Sequence, residues 1–190
     1  MLGVDLDAWD LSLQRGRKQS MNIHNLFGNR CATPSDINEH LPVLYRLAGE
    51  CSHVTEFGVR SGNSTVAFLA ALEVKRGHLI SYDISPTGGT VAGWEFRLAD
   101  TSTLADIEPT DMLFIDTLHN YAQLTAELKH ANRARRFLAF HDTVTFGFLN
   151  ETGYGQGLMP AINEFVAANP HWECYEDHRN NNGLLVLARK

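Results

Sequence analysis

Val54-Thr55-Glu56-Phe57-Gly58-Val59-Arg60-Ser61-Gly62-Asn63-Ser64-Thr65 decides how this chain is read. A short β-prone run ends in a carboxylate, crosses two glycines and enters the apolar, alanine-rich stretch from Val66 to Leu72, whose composition predicts a helix. The stretch is therefore a strand, a tight loop and a helix start. Gly58 and Gly62 allow positive φ and let a ligand approach without meeting a Cβ. Ser64 and Thr65 are good helix N-caps, and the free amides of a first helical turn attract an acceptor or an anion.

Working outward, four further β-prone runs follow the same plan. His78 to Ile84 carries Asp83 near its end, Trp94 to Leu98 leads into Ala99-Asp100-Thr101, Met112 to Ile115 ends at Asp116, and Phe137 to Phe140 ends at His141-Asp142-Thr143. Helical patterns alternate with them, one through Leu124, Leu128 and Ala131 and another through Ala161, Ile162, Phe165 and Val166. That alternation predicts an α/β fold: a Rossmann-like, doubly wound, mostly parallel sheet with helices on both faces. Trp172 to Tyr175 and Leu184 to Ala188, joined through Arg179–Gly183, predict a C-terminal antiparallel hairpin. In such sheets ligands bind beyond the carboxyl ends of the strands, where Glu56, Asp83, Asp116 and Asp142 would gather.

Upstream, Thr33-Pro34-Ser35-Asp36 has the form of a helix start, with Thr as cap, Pro in the first turn and an acid to close a capping box. The helix would carry Ile37, Leu41, Leu44, Tyr45 and Leu47 and stop at Gly49. Residues 1 to about 30 give a weak helical pattern through Leu2, Leu6, Trp9, Leu11 and Leu13 and then an Asn-rich connection. The chain thus divides into an N-terminal helical or lid segment, 1–32, and one Rossmann-like domain, 33–190.

With 190 residues, 44% hydrophobic and 20% charged, the chain can bury one sizeable core and has ordinary globular composition. A formal net charge of −6 argues against a phosphate-tracking nucleic-acid binder. The basic clusters Arg15–Lys18 and Arg133–Arg136 read as solvated faces. Cys31, Cys51 and Cys174 are odd in number and widely spaced, which suggests neither a disulfide framework nor a zinc ribbon but buried thiols in a reducing compartment. Asp5, Asp7 and Asp10 stand where a signal peptide would carry basic then apolar residues, and no apolar run is long enough for a membrane span. The expectation is a cytoplasmic protein without membrane or nucleic-acid partners.

Neither Gly-x-Gly-x-x-Gly nor a P-loop is present. Glu56-x-Gly58-x-x-x-Gly62-x-Ser64 instead resembles the first motif of the class I S-adenosylmethionine-dependent methyltransferases. The resemblance implies that Glu56, Gly58, Gly62 and Ser64 face the methionine part of S-adenosylmethionine, that Asp83, with Ile84 beside it, takes the ribose, and that Asp100-Thr101 meets the adenine amine. Asp116 would close the site from the fourth strand.

Asp111-Met-Leu-Phe-Ile-Asp116-Thr-Leu-His119-Asn-Tyr121 and Phe140-His141-Asp142-Thr143 resemble a branch of the same superfamily that holds metal-dependent sugar and catechol O-methyltransferases and cephalosporin-hydroxylase-like proteins. The resemblance covers residues 33 to 190 and implies Asp116, His141 and Asp142 as ligands of a divalent metal, with His119 as general base and Asp116 beside it in catalysis. Members often carry a carboxylate where this chain has His141, which turns the expectation from Mg²⁺ toward Mn²⁺, Fe²⁺ or Zn²⁺. The implied reaction is O-methylation of a hydroxylated small molecule or sugar, with Tyr121, Phe146, Phe148 and Tyr154 available to wall the acceptor. A cephalosporin-hydroxylase-like oxidoreductase and a non-catalytic cofactor-binding accessory protein use the same fold, and a homo-oligomer is compatible with all three.

Overall fold

The computed structural model describes residues 22–87 and 91–190. The helical pattern from Leu2 to Leu13, the acids Asp5, Asp7 and Asp10, the cluster Arg15–Lys18 and the Gly88-Gly89 turn lie outside the described residues.

β1 (His53–Phe57), β2 (His78–Asp83), β3 (Trp94–Leu98), β4 (Thr110–Ile115), β5 (Ala134–His141), β6 (Trp172–His178) and β7 (Leu184–Arg189) form one seven-stranded sheet in the order β3-β2-β1-β4-β5-β7-β6. β1 to β5 are parallel, and β7 runs antiparallel to both β5 and β6. This is the expected Rossmann-like α/β sheet with its C-terminal antiparallel pair. The strand order reverses between β1 and β4, so a crevice opens there at the carboxyl edge.

Burial on both faces explains the near-continuous apolar character of β4. Met112 and Phe114 pack with Leu44, Leu47 and Phe68, whereas Leu113 and Ile115 pack with Leu124, Phe140 and Ile162. The first face is covered by α1 (Ile23–Ala32), α2 (Leu41–Ala48) and α3 (Asn63–Glu73), and the second by α4 (Tyr121–Glu127) and α5 (Leu158–Ala168).

Three local expectations are corrected. The Asn-rich stretch is helix: the Asn22 side chain accepts from the His24 amide at 2.9 Å and caps α1, and Phe27 stacks on Tyr45 with centroids 4.7 Å apart. Thr33-Pro34-Ser35-Asp36 starts no helix. Thr33 ends α1, Asn38 Oδ1 accepts from the Ser35 amide at 2.9 Å, and the Asn38 amide donates to the Cys31 carbonyl at 3.2 Å. That side chain turns the chain, and α2 begins only at Leu41. Finally, α3 is capped by Gly62 at φ 72° rather than by Ser64 or Thr65, because both hydroxyls are drawn inward to Glu56.

Candidate active site

The β1–α3 loop is fixed from beneath. Glu56 has no exposed surface, and its carboxylate accepts from Ser64 Oγ at 2.6 Å, from Thr65 Oγ1 at 2.8 Å and from Ser81 Oγ. Burial raises its pKa to about 7 against the pull of those three donors. Glu56 therefore braces the loop from inside and offers no oxygen to a cofactor, and the buried Ser64 side chain does the same. Ligand-binding capacity at α3 lies instead in its first-turn amides, since no side chain caps that end.

From β2, Asp83 clamps the other side of the loop. Its Oδ2 accepts from the Val59 and Arg60 amides at 2.8 and 3.0 Å, and Oδ1 accepts from the Ser85 amide at 2.8 Å. Oδ2 is thereby filled, and Oδ1 keeps one lone pair for a further donor. Ile84 beside it is 75% exposed on the same edge. Past β3, Asp100 and Thr101 face apart. The exposed Asp100 caps a 3₁₀ turn through Ser102, whereas Thr101 is buried and donates to Glu127.

Across the strand-order reversal, the structure brings Asp116, His119, His141 and Asp142 into one cluster. His119 Nε2 lies 3.1 Å from Asp116 Oδ1 and 2.9 Å from Asp142 Oδ2, and His141 Nδ1 lies 3.4 Å from one oxygen of each acid. Asp142 takes φ 60°, a left-handed backbone that aims its carboxylate into the cluster, and its Oδ1 is buried with no partner. Desolvation opposes charge on all four groups, yet the mutual ion pairs win. The pKa of each imidazole rises to about 10, that of Asp116 falls to about 2, and that of Asp142 falls further. His119 Nε2 and His141 Nδ1 each face both carboxylates.

The side chains whose ligand atoms lie within 4.8 Å of one another are Asp116, His119 and Asp142. His119 Nε2 approaches both acids more closely than the buried His141, whose Nδ1 faces the same two carboxylates. Two carboxylates, one with an orphaned oxygen, and the buried His141 imidazole beside them fit a divalent ion of the Mn²⁺, Fe²⁺ or Zn²⁺ kind.

Two residues of the site carried no readable signal in sequence. Glu151, on a hairpin whose Leu149 bridges Gln156, accepts from the His119 amide at 3.1 Å and from His119 Nδ1. Glu127, fully buried in α4, accepts from Thr101, from Thr117 at 2.9 and 3.0 Å and from Gln123 at 2.8 Å. It ties the turn after β3 to the loop after β4. Of the expected acceptor-wall aromatics, Phe146 stacks on His119 with centroids 4.9 Å apart, Phe148 and Tyr154 are exposed at the rim, and Tyr121 turns away to Glu164.

Residues 55–143 match a family model described as a methyltransferase domain. No curated protein sequence matches the chain. Among solved structures, the Podospora anserina methyltransferase PaMTH1, bound to S-adenosylhomocysteine, is similar at a TM-score of 0.60, with 12% identity over 100% of this chain and 98% of that one. An O-methyltransferase from Bacillus cereus, also with S-adenosylhomocysteine, gives 0.58, with 16% identity over 97% of each chain. The N-methyltransferase NodS from Bradyrhizobium japonicum gives 0.58, with 13% identity over 88% of this chain and 98% of that one. At these identities the likeness establishes the shared fold.

Proposed function

For a chain whose residues 55–143 match a methyltransferase-domain model, we propose S-adenosylmethionine-dependent O-methylation of a hydroxylated small molecule, assisted by a divalent ion. The observation that carries this reading is the convergence of Asp116, His119 and Asp142 directly beside the glycine loop. A methyl donor held by that loop would lie next to the acids, since Gly58 packs against the Asp116 backbone.

S-adenosylmethionine supplies an electrophilic methyl group and leaves as a neutral thioether. The first-turn amides of α3 suit the methionine carboxylate. Asp83 Oδ1 suits one ribose hydroxyl, with Ile84 as an apolar surface next to it and Asp100 as an acceptor for the adenine amine. Gly58 and Gly62 shape the loop, and Glu56 and Ser64 hold it rigid from below.

Asp116 and Asp142 are proposed as the ion's ligands, with His141 on their buried side. Asp116 and Asp142 would hold the ion, which would lower the pKa of an acceptor hydroxyl, and with their charge engaged the two acids would no longer favour imidazolium at His119. His119 Nε2, facing both acids, takes the acceptor's proton as the oxygen attacks the methyl carbon in line with the departing sulfur. The exposed Leu118, Phe148, Leu149 and Tyr154 around this mouth favour an acceptor with an apolar, planar body.

Calorimetry with S-adenosylhomocysteine, set against NAD(H) and run with and without EDTA, tests the reading. Micromolar binding of the thioether product and none of the nicotinamide supports it. Binding of neither removes the catalytic reading in favour of a module without this cofactor.

A further inference from the structure

Among the described residues, Arg60, Arg76, Asp142, Asn181 and Asn182 take left-handed backbone without being glycine. Three of them meet at one joint. Asp142 turns left-handed just past β5, and Asn181 and Asn182, at φ 41° and 72°, lead into Gly183 at φ 99° in the turn between β6 and β7. The two turns press together, since a Cβ on Gly183 would stand 2.5 Å from the Val144 amide nitrogen. Consecutive left-handed residues that carry side chains are strained, and such a turn persists only where its surroundings over-determine it. Those surroundings lie far away in sequence.

Asn181 supplies the tie. Its Oδ1 accepts from the Glu39 amide at 2.9 Å, and its Nδ2 donates to the Ser35 carbonyl at 2.8 Å. Both partners are backbone groups of the connection between α1 and α2, which Asn38 folds back on itself. That connection also reaches other parts of the carboxyl edge. Asp36 pairs with the Arg60 guanidinium on the glycine loop, and the buried His40 ring meets His141 edge on, with centroids 5.4 Å apart. With its carboxamide held at both ends, Asn181 fixes the peptide that follows, so the Asn182 carbonyl stays under the amides of Val144 and Thr145. Those amides belong to the turn that Asp142 opens, whose own carbonyl accepts from the Phe146 amide at 2.9 Å.

We infer that Asn181 is a positioning residue for Asp142: it pins the β6–β7 turn to residues 35 and 39, and through the Asn182 carbonyl that turn sets the direction in which the Asp142 carboxylate faces. The inference rests on the reading of Asp142 as a ligand of the ion, and it goes beyond that reading by assigning the group that holds the ligand's backbone. Asparagine tolerates left-handed backbone better than most residues, and that tolerance alone would account for a turn asparagine. It does not account for two side-chain bonds, both to the backbone of another element. The α1–α2 connection thereby becomes part of the support of the centre.

The test is hydrogen exchange at the Val144 and Thr145 amides of the ion-free full chain, measured relative to the core amides of β4, followed by Mn²⁺ titration read by electron paramagnetic resonance. Asn181→Gly removes both side-chain bonds and suits φ 41°, so its effect comes from the bonds and not from the backbone. It is expected to speed exchange at the two amides at least about tenfold and to weaken Mn²⁺ by about tenfold or more, as loss of a ligand's outer support does. Glu39→Ala cuts the side-chain bond from Asn180 but leaves the Glu39 amide on Asn181, and is expected to stay within about twofold of wild type in both. Unchanged exchange in Asn181→Gly overturns the inference, as does faster exchange with unchanged Mn²⁺ affinity. A Glu39→Ala effect equal to that of Asn181→Gly also overturns it, because general loosening of the turn would then suffice. A wild type that binds no Mn²⁺ counts against the ion reading, and the exchange rates then decide alone whether Asn181 holds the Asp142 turn.

Discussion

A Cβ placed on Gly58 would stand 1.9 Å from the carbonyl oxygen of Asp116. The glycine loop and the loop after β4 therefore touch backbone to backbone, and the cofactor side and the acid cluster share one seam. Gly58 also holds φ 90°. Gly58→Ala is expected to destabilise the fold by about 2 kcal/mol or more and to weaken S-adenosylhomocysteine by at least about tenfold, because both loops must move apart. Thermal melts and calorimetry read the two effects.

The ion pairs of the cluster give the ion-free protein a pH dependence of known sign. His119 and His141 have pKa values raised from 6.5 to about 10, so their contribution is complete below 6.5 and is lost as pH rises toward 10. Asp116 is depressed from 3.8 to about 2, so its contribution is present above 3.8 and is lost as pH falls toward 2. Urea midpoints measured in EDTA should decline between pH 7 and 10, and His119→Gln should flatten the decline. A wild-type midpoint constant over that range would contradict the ion pairing.

Loading the site with Mn²⁺ is expected to expel protons, since the two carboxylates that would bind the ion raise the pKa of the imidazoles facing them. Calorimetry at pH 7.5 in buffers of different ionisation enthalpy is expected to show release of about one proton per ion, with affinity rising as pH rises. Asp142→Asn should abolish binding. Heat independent of the buffer would argue that no imidazole proton is displaced.

Glu127 has a different role, with no surface and three donors converging on it. Glu127→Ala leaves the hydroxyls of Thr101 and Thr117 and the amide of Gln123 without their acceptor and opens a cavity, at a cost of about 2–4 kcal/mol. Glu127→Gln keeps the volume and one acceptor oxygen and is expected to cost less than half as much. Denaturant unfolding decides between them, and equal costs would show that the carboxylate itself, and not the volume it fills, carries the stability there.

Much of this was legible before any coordinates. β-prone runs that alternate with helical patterns and end in acids are local signals, so the sheet and the placing of Glu56, Asp83, Asp116 and Asp142 at its carboxyl edge follow from the chain itself, and the resemblance adds His119. The roles within the edge were less so. Glu56 and Ser64 have the residue types of a ligand shell, yet the sequence carries no mark of which way they point, and burial turns them toward each other. Glu151 meets His119 across 32 positions, inside a glycine-rich stretch with no motif, and only the hairpin reveals the pairing. The Thr33–Asp36 capping pattern misleads because Asn38, just beyond it, takes the Ser35 amide and does the turning.

The reversed direction of β7 has a consequence for how the site is completed in time. Because β7 runs against β5, its first residue Leu184 pairs with His141, and the turn before it arrives at the acid edge. There the Asn182 carbonyl accepts from the amides of Val144 and Thr145 at 2.9 and 3.0 Å, just behind the left-handed Asp142. A chain emerging from the ribosome has made every charged group of the cluster by Glu151, but it has nothing to brace the loop that aims Asp142 until residue 182 follows. The loop that aims Asp142 is thus braced by a turn far downstream in the chain, and a change at Asn182 reaches the acid cluster through backbone alone.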